Sequence, residues 1–150
     1  MLRTVLLVLA AFLVAPTVSA QSLPPGARAY LGDWTTYDGD EPQSVVRLTE
    51  SSGVLRGRIV RILPTEESPQ PQYLCGECIG EFEGADLRTV PLIEGMEWDG
   101  GEFSGGRITD PTNAKRYKGI LKLDGRDELR VRGYVGVRAL GRTQTWRRAQ

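Results

Sequence analysis

The sequence predicts an all-β fold, a small antiparallel meandering barrel of about eight strands, on three observations. The first is helix-breaker density: after position 20 there are 18 glycines and eight prolines, one residue in five. The longest stretch free of both, Gln43 to Ser52, is ten residues, so any longer helix would have to contain one, at about 1 kcal/mol for Gly and about 3 kcal/mol for Pro. The second is that apolar residues recur in short alternating runs. The third is that segments with turn chemistry separate those runs at regular spacing. A sandwich is the alternative arrangement of the same strands.

The elements follow in chain order. Arg3 gives a positive n-region, Val5 to Val14 an apolar run ending before Pro16, and Val18-Ser19-Ala20 a small-residue cleavage site. Residues 1–20 therefore read as a signal peptide, cleaved to leave Gln21 first, and residues 21–150 as a single barrel domain. The run is too short to span a membrane, and no transmembrane segment is expected later in the chain; an N-terminal anchor is the competing reading. Export points to a secreted protein, in the bacterial periplasm or an equivalent oxidising space.

Leu31 to Thr36 reads as the first strand, ended by the turn Tyr37-Asp38-Gly39-Asp40. Ser44 to Glu50 and Val54 to Leu63 alternate and are joined by Ser51-Ser52-Gly53, a hairpin signal. Val46 and Leu48 share one face. In the next strand Leu55, Gly57 and Ile59 share a face, opposite Arg56, Arg58, Val60 and Ile62. An irregular stretch with six glycines and prolines runs from 64 to about 90. Strands resume at Leu92–Trp98, Gly106–Asp110, Arg116–Leu123, Glu128–Val135 and Gln144–Arg148, with turns at Asp110-Pro111-Thr112-Asn113 and Asp124-Gly125-Arg126-Asp127.

Composition narrows the chemistry. There is no histidine, so Ser-His-Asp and Cys-His catalysis and imidazole metal ligation are excluded. Nineteen basic residues balance nineteen acidic ones, which argues against nucleic acid as a partner. The balance hides a separation: Glu66 to Glu102 carries ten acidic residues against Arg88, and Arg126 to Gln150 seven arginines against Asp127 and Glu128. Either a basic surface receives an anion or an acidic loop holds a cation, or the two segments neutralise each other across neighbouring strands.

Cys75-Gly-Glu-Cys78 is the reactive-looking motif. In an oxidising compartment two cysteines so spaced most simply form a local disulfide. A redox role would need a thiolate stabilised by a nearby cation, and the flanking Glu77, Glu81 and Glu83 do the opposite. Zinc would need a second pair, so no metal is expected, and Asp38-Gly39-Asp40 lacks the rest of a calcium loop. No cofactor motif is present. Asp33, Asp38, Asp40, Glu97, Asp99 and Asp110 are the remaining catalytic candidates, all near turns, and no pair stands out as a two-carboxylate site.

Gly32-Asp33-Trp34 opens the domain where a small barrel needs a plug. An indole can fill the closed end while a guanidinium from the last strand, within Trp146-Arg147-Arg148, stacks on it. Gly32, Trp34, Arg142, Trp146 and Arg147 form the plug set. This G-x-W with a late arginine resembles the lipocalin-like barrels.

The later strings are more specific. Cys75-Gly-Glu-Cys78, Trp98-Asp-Gly-Gly101, Gly106-Arg-Ile-Thr-Asp-Pro111, Leu129-Arg-Val-Arg-Gly-Tyr-Val-Gly136 and Leu140-Gly-Arg-Thr-Gln-Thr-Trp146, with Val54-Leu-Arg-Gly-Arg-Ile59 upstream, resemble the bacterial secreted family catalogued as domain of unknown function 2147. The resemblance implies a lipocalin-like barrel exported to the periplasm and carries no established reaction. The chain departs from it twice. Ala114 stands where similar sequences often have Gly, which moves the left-handed residue of that turn to Asn113. Arg56 stands where some have a cysteine, which leaves Cys75 and Cys78 only each other.

Arg132, Tyr134, Arg142 and Trp146 are either a barrel-mouth site or a packed structural network. The function expected is a monomeric, non-enzymatic envelope protein that binds a small amphipathic, lipid-like anion, with Tyr117, Arg132 and Tyr134 facing it. A filled barrel acting as a structural or interaction module is the alternative, and a thiol-redox protein working through Cys75 and Cys78 comes third.

Overall fold

Nine antiparallel strands make one continuous sheet: β1 (Gly32–Asp38), β2 (Glu41–Ser51), β3 (Val54–Ile62), β4 (Pro91–Trp98), β5 (Phe103–Ser104), β6 (Arg107–Thr109), β7 (Arg116–Asp124), β8 (Glu128–Tyr134) and β9 (Arg142–Arg148). The computed structural model describes residues 23–150, so the expected leader over residues 1–20 and the start at Gln21 lie outside the described residues. β5 and β6 are two halves of one stave, broken at Gly105-Gly106, where a Cβ on Gly106 would overlap the backbone of Glu94 and Gly95. Pairing of β3 with β4 and of β1 with β9 closes the sheet, which gives an eight-strand barrel. Among the described residues the one α-helix is α1, Pro25–Arg28.

The turns follow sequence chemistry with two adjustments. Ser51 already pairs with Val54, so the β2–β3 hairpin has a two-residue turn. Ser52 (φ 56°) and Gly53 (φ 80°) are both left-handed, as the favoured hairpin turn requires. After Asp110-Pro111 the left-handed residue is Ala114 itself, at φ 59°, not Asn113. Asn113 uses its side chain instead, accepting from the Lys115 N–H at 2.9 Å. The methyl of Ala114 is therefore held where glycine would be unstrained, at a cost of about 1 kcal/mol.

One end of the barrel is filled and capped. Leu23, Ala27 and Tyr30 lie against it, and Tyr30, Trp98 and Phe103 meet edge-on with ring centroids 5.0–5.6 Å apart. The Tyr30 phenol donates to the Gly101 carbonyl (3.3 Å) and accepts from the Leu123 N–H (3.1 Å). Trp34 is fully buried and donates its indole N–H to the Tyr30 carbonyl at 2.8 Å. The guanidinium over its face, 4.0 Å from the ring centroid, belongs to Arg148, which also donates to the carbonyls of Ala29, Leu31 and Arg126.

Strand alternation explains why it is not Arg147. Trp146 points inward and is 3 % exposed, so Arg147 must point outward, where it covers Tyr37 at 4.8 Å. Of the residues the sequence nominates for the plug, Gly32 and Trp34 stand at this end and Trp146 in the core. Arg142, at the start of β9, stands at the opposite end.

Two predictions follow from this cap. Replacing Arg148 with Met removes the stacked cation and three carbonyl contacts and lowers unfolding free energy by about 1–3 kcal/mol, whereas Arg147→Met changes it by less than about 0.5 kcal/mol; urea denaturation separates the two. Burial, with added repulsion from Glu102 and Asp99, raises the Tyr30 phenol above its ordinary 10.0 despite the Leu123 hydrogen bond. A raised acid favours the native state while protonated, so its contribution holds below pH 10 and is lost above it. Tyr30→Phe strands the Leu123 N–H, starts lower by about 1–3 kcal/mol, and lacks that alkaline loss in a denaturation series.

Candidate functional site

Strand direction places every β1, β3, β5–β6 and β8 exit at the end opposite Trp34, together with the irregular segment 63–90. That end holds a cavity of about 610 Å³. Its apolar wall comes from Ile59, Ile62, Leu92, Ile108, Val131 and Trp146. The size is that of a small-molecule site rather than a packing defect.

A bulge makes this wall. Val45 pairs with Arg61 and Val46 with Ile59, so Val60 is the extra residue and the alternation of β3 flips. Ile62 thereby joins Ile59 on the cavity side, although plain alternation assigns it to the face of Arg56 and Arg58. The neighbouring polar layer is mostly self-satisfied: the Thr36 and Ser44 hydroxyls lie 2.8 Å apart and hydrogen-bond each other. Thr109 is the exception. It alternates with the cavity-facing Ile108 and pairs in register with Arg116, and its fully buried hydroxyl has no hydrogen-bond partner among the described residues.

The segment from Gln72 to Leu87 crosses the mouth as a short irregular hairpin. Leu74 bridges to Asp86, the Cys75 N–H donates to Ala85 O at 2.9 Å, and the Leu87 N–H donates to Tyr73 O at 2.7 Å. Asp86 and Arg88 form a local ion pair that holds the Asp86 carboxyl down at about 2. Arg116, at the start of β7, pairs with Glu81 at 2.5 Å and covers Phe82. Cys75 and Cys78 are joined as a disulfide with Cα atoms 5.4 Å apart, and both are only 4 % exposed. The bridge is held within the segment that crosses the mouth, and Cys75 lines the cavity.

The expected ligand residues separate. Tyr117 lines the cavity. Arg132 and Tyr134 do not: Val131 and Gly133 of β8 face inward, so the residues that alternate with them face out. Arg132 instead donates to the Arg138 and Ala139 carbonyls and the Thr143 hydroxyl on the outer surface. Arg142, expected in the plug, is on the cavity wall with Gln144. Residues missed by sequence reasoning include Thr36, Ser44, Ile62, Leu92 and Ile108. Their shared signal is position in the mouth-side half of a strand.

The rim is acidic on balance. Asp38, Glu77 and Asp110 line it against Arg142 alone. Asp110 is committed to its own turn, accepting from the Thr112 N–H and hydroxyl at 2.9 and 2.7 Å. The described residues hold no cluster of acidic or cysteine side chains arranged for a metal ion. Across the molecule, Arg138–Glu102 joins the basic C-terminal segment to the acidic one, while Arg130–Asp124, Arg88–Asp86 and Arg47–Asp33 are pairs within or outside those segments. Neutralisation between the segments is therefore partial.

One prediction comes from Thr109. Thr109→Val keeps the shape and removes a buried hydroxyl that pays desolvation without a protein partner, so the ligand-free protein gains up to about 1 kcal/mol in urea denaturation.

Comparison with known proteins agrees with this architecture. Protein HP1028 from the human pathogen Helicobacter pylori, a solved structure described as belonging to the lipocalin family, superposes with a TM-score of 0.67 at 15 % identity, covering 80 % of this chain and 82 % of that one. No curated protein matches the chain. The family model described as "Uncharacterized protein conserved in bacteria (DUF2147)" matches residues 32–148, from the first strand to the last. The chain belongs to that bacterial family, and its fold is the lipocalin-like barrel.

Proposed function

We propose that this protein is a non-enzymatic binder of a small amphipathic molecule, held in the open end of the barrel. The observation that carries the reading is the cavity of about 610 Å³, which combines an apolar wall with the polar side chains of Tyr117, Gln144 and Arg142. A ligand tail on Ile59, Ile62, Ile108 and Trp146 removes apolar surface from water, worth about 25 cal/mol per Å² before the costs of association. The polar head of the ligand lies among Gln144, Tyr117 and Arg142.

The head group is uncharged or zwitterionic rather than a bare anion. Of the two arginines expected at the mouth, Arg132 has its side chain on the outer surface and Arg142 lines the cavity. At the rim one guanidinium faces three carboxylates, two of them, Asp38 and Glu77, outside any hydrogen bond or ion pair among the described residues. A lone anion would gain one partner and meet net repulsion. We place the protein outside the cytoplasm, a reading supported by the leader expected at residues 1–20 and by the disulfide.

The test is a titration of the mature protein with a neutral naphthylamine fluorophore that brightens in apolar surroundings, alongside native mass spectrometry of the protein as purified. Saturable one-to-one binding is expected, with loss of at least tenfold in affinity for Ile62→Trp at an unchanged melting temperature. Absence of saturable binding to the folded protein, or equal binding to Ile62→Trp, overturns the proposal.

A further inference from the structure

The outer wall formed by β6, β7 and β8 carries a charge arrangement that the barrel itself does not require. Gly119 and Leu121 face inward, so Lys118, Ile120 and Lys122 face out. By register Arg107 lies opposite Lys118, and Lys122 opposite Arg130. Like charges directly opposite on one sheet face oppose folding, so two such pairs are a standing cost. Carboxylates relieve it in part: Asp124 pairs with Arg130, Glu102 with Arg138, Glu94 is the register partner of Arg107, and Glu128 lies beside Asp124. Lys118 and Lys122 have no carboxylate partner among the described residues.

The connection between β8 and β9 lies over the same wall. Arg132 holds it there by donating to the Arg138 carbonyl (2.8 Å) and the Ala139 carbonyl (3.1 Å), and Arg138 reaches on to Glu102. It presents Val135, Val137 and Leu140 to solvent, 69 %, 59 % and 80 % exposed. These are three of the five large exposed apolar side chains among the described residues. The remaining basic wall, Arg56, Arg58 and Arg61 on β3, has no apolar side chain of this kind.

We infer that the β6–β8 wall and the β8–β9 connection dock on the surface of a bilayer that displays anionic headgroups. Basic side chains at headgroup depth gain about fivefold in partitioning each, and aliphatic side chains beside them enter the acyl boundary. The combination fits a lipid surface better than an acidic protein, because the apolar residues protrude singly and form no pocket for a partner's side chain.

Cosedimentation of the mature protein with large vesicles provides the test, comparing equal parts phosphatidylcholine and phosphatidylglycerol with phosphatidylcholine alone. Binding is expected only to the anionic vesicles, and is screened away by salt. The double variant Lys118→Glu, Lys122→Glu reduces it at least tenfold. Leu140→Ser reduces it severalfold without changing charge. Arg58→Glu, on the opposite wall, leaves it unchanged. All four substitutions are at exposed or surface positions, and thermal melting verifies the fold. Equal binding to both vesicles, no binding to either, or an Arg58→Glu loss as large as that of the lysine pair overturns the inference. Loss of fluorophore binding in the cavity has no bearing on it.

Discussion

The contact on which the rest depends is Arg148 lying over Trp34 at the seam between the first and last strands. A meander closes only if its two outermost strands find each other, and β1 and β9 do so over two register pairs, Trp34 with Arg148 and Thr35 with Arg147. So short a ladder leaves the seam dependent on side-chain contacts as well as on backbone pairing. The Arg148 side chain reinforces it by capping the indole and gathering the carbonyls of Ala29, Leu31 and Arg126, which brings the N-terminal approach, the β7–β8 turn and the last strand to one point. Cation–π stacking of this kind is worth about 0.5–2 kcal/mol, and here it acts at a ladder of two register pairs.

Closing the barrel at that end decides where the open space lies. Tyr30, Trp98 and Phe103 fill the capped end, and Met96, Leu121 and Leu129 fill the middle. The interior is even too narrow for a methyl at Gly119, where a Cβ would overlap Met96. The cavity of about 610 Å³ therefore lies toward the mouth, where the β3 bulge turns Ile62 inward and the segment 63–90 crosses instead of packing down. The barrel is filled in one half and open in the other, so the two alternatives, a ligand barrel and a packed barrel, each describe one end.

Much of the fold was legible because alternation and turn chemistry are local. All eight main strands fall where the runs of apolar residues put them, and the irregular stretch at 64–90 is the observed connection between β3 and β4. Three things were not legible for physical reasons. A bulge such as that at Val60 leaves no mark in the residue pattern, yet it reverses the face of everything after it. The choice between Arg147 and Arg148 depends on the phase of β9, which Trp146 sets once it is known to be buried. Arg132 and Tyr134 drew attention as part of a family string, although the same alternation with Leu129 and Val131 sends them outward. The site was legible mainly as a place, the mouth end, with Tyr117, Arg142 and Trp146 named beforehand. Thr109, a threonine among many, becomes distinctive only when its hydroxyl is seen buried without a partner.

The most direct measurement is a backbone and indole NMR titration of the mature protein with an uncharged alkyl glucoside below its micelle concentration. The account predicts saturable shifts confined to the open half, at Thr36, Ile62, Thr109, Tyr117, Gly133, Gln144 and the Trp146 indole, with the Trp34 indole unmoved. Shifts spread over the outer walls, or centred on Trp34 and Tyr30, would contradict it.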